Sequence, residues 1–265
     1  MPHPPLLLRH LALTFAIAAL TPLRAEQPAD LLERGNAKAA RGDFAGAIAE
    51  YDRAIELDPR QAEAFYDRGA AREGRGDHAG AIADYDRAIA LNPKFAKAFS
   101  NRGLAKSARD DLEGAIADFT QAIAIDPNYA AAYYNRGRAK KTRDDFDGAI
   151  ADYDRAIALK ADFSLAYINR GVAKEAGEHH DEAIADYDQA IKLDPKFAPA
   201  FFNRGVAREA KGDLPGAIAD YTQATVLDPH YVSAYRKLVT TKRKTGDPAG
   251  AQAAAAMVAQ LTAKK

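Results

Sequence analysis

The sequence predicts an all-α protein that is built from repeated pairs of helices. An Arg-Gly pair recurs every 34 residues, from Arg34-Gly35 to Arg204-Gly205. An Ala-Ile pair recurs with the same period, from Ala47-Ile48 to Ala217-Ile218. Proline closes most of the units, as at Pro59. Self-similarity at a fixed period of about 20–50 residues is the sequence signature of a repeat array.

The repeat fills the chain after an N-terminal segment. If a unit starts at Pro28, seven units of 34 residues end at the last residue, Lys265. The predicted repeats are 28–61, 62–95, 96–129, 130–163, 164–197, 198–231 and 232–265. We therefore expect one domain of seven units over residues 28–265.

Residues 1–25 have the layout of a signal peptide. A charged start at Arg9 precedes an apolar run from Leu11 to Leu20, and the segment ends at Ala25. Pro22 interrupts the run well before the roughly 20 apolar residues that a spanning helix needs. We expect cleavage after Ala25, an exported protein in the periplasm or outside the cell, and no membrane span after cleavage.

Composition excludes several classes of function. The 37 Lys and Arg balance the 37 Asp and Glu, so the charge does not predict a nucleic-acid partner. The absence of cysteine excludes disulfides, thiolate metal sites and a cysteine nucleophile. No nucleotide or hydrolase motif is present, and His78 and His180 occupy a position that is otherwise apolar. We expect no catalytic residues, no metal and no cofactor.

Each unit contains two helical patterns. In the second unit, Phe65 and Gly69 lie on one helical face, and Tyr85 follows on a second apolar stripe. The turn between the two patterns is Gly-Asp or Asp-Asp, where the aspartate can cap the second helix, as at Asp77. Proline ends that helix because the residue before a proline is disfavoured in the helical region.

The positions that recur identify a family resemblance. In the second unit they are Phe65, Gly69, Ala81, Tyr85, Ala88 and Pro93. This pattern resembles the tetratricopeptide repeat (TPR) over residues 28–265. The resemblance implies a right-handed superhelical α-solenoid of antiparallel helix pairs, in which the first helices line a concave face. It also implies that the glycine of the Gly35 position faces the alanine of the Ala47 position across the helix pair.

Two units depart from the pattern. The fifth unit is entered through Lys160-Ala161 instead of Asp-Pro, which predicts a looser joint. In the seventh unit Val239 replaces the glycine while Ala255 replaces the aromatic residue, which suggests compensation of volume. Gln252 and Ala259 also replace isoleucines there, as expected for a C-terminal cap.

Two oppositely charged positions of the repeat are present together or absent together along the array. Six arginines, from Arg34 to Arg204, are each followed by an acid sixteen residues later. The seventh unit has Leu238 and Ala254 at these two positions, so both charges are lost together. We predict interhelical ion pairs, with independent drift of the last unit as the alternative.

The resemblance implies that the residue two before the glycine points into the concave face. This residue is asparagine in four consecutive units: Asn101, Asn135, Asn169 and Asn203. An asparagine amide can both donate and accept, so we predict contacts to the backbone of an extended peptide. The predicted flanking residues are Tyr134, Ile168, Phe202, Arg138, Val172 and Val206.

The sequence therefore predicts a non-enzymatic adaptor that binds an extended segment or a helix of a partner protein. Three alternatives stay open at this point. Duplication could have copied the asparagines without any binding role. An enzyme or small-ligand carrier could form a site between units. Weak self-association could occur through Leu31 and Leu32 of the first helix, which has no capping helix before it.

Overall fold

The computed structural model describes residues 26–263, so the predicted signal peptide lies outside the described residues. This range forms fourteen α-helices and contains no strand. The helices are α1 (Pro28–Ala39), α2 (Phe44–Leu57), α3 (Ala62–Gly74), α4 (His78–Leu91), α5 (Ala96–Ala108), α6 (Leu112–Ile125), α7 (Ala130–Thr142), α8 (Phe146–Leu159), α9 (Ser164–Ala176), α10 (His180–Leu193), α11 (Ala198–Ala210), α12 (Leu214–Leu227), α13 (Val232–Lys244) and α14 (Pro248–Thr262). None of these helices combines the length and apolar character needed to span a membrane.

The helices pack in pairs, two to each repeat, as predicted. Each first helix packs on its own second helix, from α1 with α2 to α13 with α14, and each second helix packs on the next unit. The first helices of successive units also contact one another, from α1 with α3 to α9 with α11. The second helices of successive units make no comparable contact within residues 26–263. The first helices therefore line the inner, concave side of an α-solenoid.

Aspartate caps most of the second helices, as expected. Asp43 accepts a hydrogen bond from the backbone N–H of Gly46 at 2.9 Å, and five other units have the same bond. The fifth unit is the exception, since His179 at the N-cap of α10 makes no side-chain capping bond. Glu178 before it has a positive φ of 60°, at a position that is glycine in four other units.

The joint before the fifth unit has the same backbone hydrogen bond as the other joints but lacks one side-chain hydrogen bond. Lys160 N–H donates to Ala156 O at 2.9 Å, as Asp58 N–H donates to Ala54 O at 2.9 Å. Asp58 also accepts from the N–H of Arg60 through its carboxylate, which a lysine cannot do.

The glycines of the first helices face aromatic rings, and in the fourth unit the expected approach to the Ala47 position is also seen, since a Cβ atom on Gly137 would lie 3.2 Å from Ala149 O. A Cβ atom on Gly35 would lie 2.4 Å from Cε1 of Tyr51. The tyrosine is long enough to reach across the helix pair, so the glycine makes room for its ring. In the seventh unit Val239 and Ala255 line a cavity of about 280 Å³, so the valine replaces only part of the ring's volume.

The predicted interhelical ion pairs are confirmed. They are Arg34–Glu50, Arg68–Asp84, Arg102–Asp118, Arg136–Asp152, Arg170–Asp186 and Arg204–Asp220. Arg136 Nη2 lies 2.6 Å from Asp152 Oδ1, and Lys140 Nζ lies 2.9 Å from the other carboxylate oxygen. In the seventh unit Leu238 and Ala254 pack in one apolar cluster instead.

The C-terminal end of the array agrees with what the sequence predicts, and the N-terminal end does not. Gln252 and Ala259 are exposed, which agrees with a C-terminal cap. At the other end Leu31 is fully buried against Ala54 and Ala64, so the expectation that it is exposed for self-association was wrong. The helix pair of the first unit and α3 already cover this side chain.

Candidate functional site

The ten residues predicted to contact a peptide lie on α5, α7, α9 and α11, which line the concave face. Arg138 is exposed, and the four asparagines are half-buried. Ile168 is only 6% exposed and packs with Tyr187 in an apolar cluster. Ile168 is therefore part of the core, and its expected role as an accessible flanking residue was wrong.

Two of the four asparagines hold neighbouring units together. Asn169 Nδ2 donates to the hydroxyl oxygen of Tyr134 at 3.2 Å, and its Oδ1 accepts from Lys141 Nζ at 2.9 Å. Asn101 Nδ2 donates to the hydroxyl oxygen of Tyr66 at 3.1 Å. In both cases the tyrosine belongs to the preceding unit, so these amides stabilise the joint between two units.

The other two asparagines keep their amides free of such bonds. Asn135 and Asn203 make no side-chain hydrogen bond within residues 26–263. The reason lies in the preceding unit, where Ser100 and Ile168 replace the tyrosine and offer no phenol oxygen. The concave face therefore alternates between asparagines that join units and asparagines that are free to bind.

The aromatic residues of the groove pack against the last residue of their own unit, which is the N-cap of the next first helix. The Tyr134 ring lies 4.7 Å from the Phe163 ring, between centroids. Phe202 has the same arrangement two units later, 5.0 Å from Tyr231. Val172 and Val206 are half-buried and pack against the apolar clusters beneath the groove. These side chains form the floor of the groove.

An open recess lies between α5 and α7, and we call it the α5–α7 recess. Its volume is about 310 Å³, which is at the lower end of ordinary ligand pockets. Its lining residues are Leu104, Ser107, Ala108, Asp110, Leu112, Phe119, Asn135, Arg138, Ala139 and Thr142. The fully buried ring of Phe119 forms an apolar floor, and the free amide of Asn135 lies at the wall.

The groove has opposite charges at its two ends. Glu63 and Asp67 lie on α3, and burial together with the charge of Glu63 raises the pKa of Asp67 to about 6. At the other end α13 carries several cations, of which Lys237 and Lys244 contact Glu209 at 3.0 and 2.8 Å. Burial opposes ionisation of Glu209, but hydrogen bonds from these lysines and from a buried tyrosine lower its pKa to about 2.

The histidines have structural positions. His78 and His180 begin α4 and α10, and the Nδ1 atom of each lies 2.9 Å from a glutamate of the preceding helix. Within residues 26–263 no group of three or more potential ligands is arranged to hold a metal ion.

Sequence reasoning missed several lining residues of the recess, among them Ser107, Phe119 and Thr142. A comparison of the residues at the same position in different units would have identified two of them. The position of Phe119 is tyrosine in the other five of the first six units, and the position of Ser107 is charged in the second, fourth, fifth, sixth and seventh units.

A profile described as TPR repeat matches residues 35–74, 75–108, 107–142 and 176–212, and one described as tetratricopeptide repeat matches 130–163. The crystal structure of MamA is 31% identical, with a TM-score of 0.58, and the match covers 62% of this chain and 96% of that chain. YrrB, whose structure is described as a TPR protein with an unusual peptide-binding site, is 22% identical, with a TM-score of 0.61 and coverage of 70% and 96%.

A tetratricopeptide repeat protein from Parabacteroides merdae is 17% identical, with a TM-score of 0.68 and coverage of 88% and 96%. No curated protein sequence matched the chain. The profiles cover more than half of the residues, and they agree with the fourteen paired helices. The chain belongs to the tetratricopeptide repeat family.

Proposed function

We propose that this chain is an exported, non-enzymatic scaffold that binds an extended segment of a partner protein in its concave groove. One observation carries the proposal. The free amide of Asn135 lies beside the apolar floor of the α5–α7 recess, in the middle of the array. YrrB, which has a similar fold, is described as a TPR protein with an unusual peptide-binding site, which supports a peptide as the class of ligand.

The free amides favour an extended segment over a helix. A helix satisfies its own backbone groups, whereas an extended strand presents free N–H and C=O groups at about 3.3 Å per residue. Asn135 and Asn203 lie two units apart on helices that pack about 8–10 Å from their neighbours. Roughly six residues of a strand would connect the two amides.

Protein capture tests the proposal. The double variant Asn135→Ala with Asn203→Ala removes two amide contacts and should weaken partner binding roughly five- to 150-fold. The matched control is Gln121→Ala with Gln189→Ala, which removes two exposed amides from second helices. Proteins captured by the tagged chain and by both variants are compared by quantitative mass spectrometry. Equal capture by all three would place the partner on another surface.

Export is a separate part of the proposal. It rests on the charged start, the apolar run from Leu11 to Leu20 and the small residue Ala25. N-terminal mass spectrometry of protein from fractionated cells should find a chain that begins after Ala25 outside the cytoplasm. Soluble cytoplasmic protein that retains Met1 would contradict export without affecting the binding proposal.

A further inference from the structure

The third unit differs from its neighbours where it lines the α5–α7 recess. Ser107 occupies a position that is glutamate in the second, fifth and sixth units and lysine in the fourth. Phe119 replaces a tyrosine, so no hydroxyl group points into the space above its ring. A short side chain and a purely apolar ring therefore open a recess that suits an apolar side chain.

Two cations of α7 lie beside this recess. Arg138 lines it, and Lys141 follows one helical turn later on the same helix, where it does not line the recess and its Nζ reaches Asn169 on α9. Neither forms an ion pair with a carboxylate in the described part of the chain, including Asp110 on the opposite rim. Lys141 contacts only an amide oxygen, and burial followed by the charge of Arg138 lowers its pKa.

The fourth unit has a cation at this position of the repeat, as the seventh unit has with Arg243. The second, fifth and sixth units have glutamates with partners there: Glu73 with His78, Glu175 with His180, and Glu209 with Lys237 and Lys244. Lys141 has the opposite charge and no acidic partner among the described residues. The middle of the groove thus carries two cations, Arg138 and Lys141, that form no ion pair with a described residue, and one carboxylate, Asp110, on the opposite rim of the recess.

We propose that the α5–α7 recess binds a large apolar side chain of the partner segment, and that Arg138 and Lys141 bind an aspartate or glutamate side chain of the same segment. This inference rests on the proposed function and names the segment that the groove selects. The carboxylate belongs to an internal residue because two units precede the recess and three follow it, so the segment continues in both directions. Arg138 lines the recess itself, so the acid lies within about one to three residues of the apolar side chain.

A peptide library tests the inference on the full chain. Seven-residue peptides with randomised positions are acetylated and amidated, so that side chains supply the only carboxylates. We expect enrichment of leucine, isoleucine or phenylalanine with an acid one to three positions away. Replacing that acid by its amide in a selected peptide should weaken binding roughly tenfold or more. This exchange changes the peptide alone and does not depend on the folding of a variant.

Charge variants of the chain provide the second comparison. Arg138→Gln with Lys141→Gln should abolish the preference for the acidic peptide over its amide analogue. Lys192→Gln with Lys196→Gln removes the same charge from exposed residues outside the groove and should keep the preference. Thermal unfolding is measured on both variants.

A test variant and a matched control variant probe the recess itself. Ala108→Leu fills the space at the end of α5 and should weaken the selected peptide roughly tenfold or more. Ala176→Leu makes the same change at the equivalent exposed position of α9, which does not line the α5–α7 recess, and should have little effect.

Two results would overturn the inference. One is that the bound peptides show no preference for an acid, and the other is that the test and control variants have equal effects. If capture still depends on Asn135 and Asn203 in either case, the proposed function is unaffected. If the library yields no peptide and capture is independent of both asparagines, the inference and the proposed function fall together.

Discussion

At the residue scale, the role of each groove asparagine depends on whether the preceding unit places a tyrosine hydroxyl within reach of its amide. Asn169 bonds Tyr134, Leu165 O and Lys141, whereas Asn135 bonds none of the described residues. We expect Asn169→Ala to lower the free energy of unfolding by about 1 kcal/mol. Asn135→Ala should leave it unchanged or slightly higher, because alanine is the better helix former. Urea unfolding compares the two variants, and equal losses would contradict the distinction.

Asp67 should make stability depend on pH. Its folded pKa of about 6 lies above the unfolded value of about 3.9, so the folded state binds more protons between these values. The stability contributed by this group is therefore highest below about pH 4 and decreases as pH rises towards 6. Asp67→Asn should stabilise the protein by about 1–2 kcal/mol at pH 7, since the carboxyl is partly exposed, and by little at pH 4.

Thermal unfolding across this pH range measures the difference between Asp67→Asn and the parent chain. Glu33→Gln is the control, because Glu33 is an exposed carboxylate at the equivalent position of the first unit. A constant difference for Asp67→Asn at all pH values would show that the carboxyl is not desolvated in the groove.

The ion pair between Arg136 and Asp152 is buried, so breaking it should cost more stability than breaking an exposed surface pair. Asp152 is 4% exposed, so Arg136→Leu should cost about 2–4 kcal/mol, with Lys140 left as the remaining cation. Arg136→Leu with Asp152→Ala should recover more than about 1 kcal/mol of the summed losses. The seventh unit already contains leucine and alanine at these positions, packed together. Strictly additive losses in the cycle would show that the two side chains do not interact.

At the element scale, the turn between α9 and α10 lacks the side-chain cap of the other turns and, like the turns at Asp110 and Asp144, has no glycine at its positive-φ position. Glu178 has a positive φ where four units have glycine, and His179 does not cap α10. Glu178→Gly and His179→Asp should each stabilise the protein by about 1 kcal/mol. Asp213→Ala, which removes the cap of α12, should destabilise it by a similar amount. Thermal unfolding measures all three, and no gain from either change would show that this turn is already optimal.

The sequence predicted the elements well because each is determined by local chemistry repeated many times. Aspartate before the second helix, glycine in the first and proline after the second recur in fixed register, and the helix pairs follow. The close contact between Gly35 and Tyr51 and the burial of Ile168 were not predictable from the period. They depend on side-chain length and on which residues face each other across two units.

At the scale of the whole molecule, the array combines a uniform scaffold with a varied inner face. The arginines of the ion pairs also reach the preceding unit, as Arg68 reaches Asp52 at 2.6 Å, so the same network supports helix pairs and the joints between them. Against this scaffold, the third and fourth units differ in Ser107, Phe119 and Lys141. A sequence of near-identical repeats indicates function mainly where one unit departs from the others.

A partner segment bound in the α5–α7 recess would bring its apolar side chain against the residues that line the recess. The most direct measurement uses a library-selected peptide whose apolar residue is replaced by photoreactive leucine, with the crosslinked residues of the unmodified chain mapped by mass spectrometry. We predict crosslinks to Leu104, Leu112 and Thr142. Crosslinks to Val239 and Val258 at the C-terminal end, or to residues of the second helices outside the recess, would contradict this binding site.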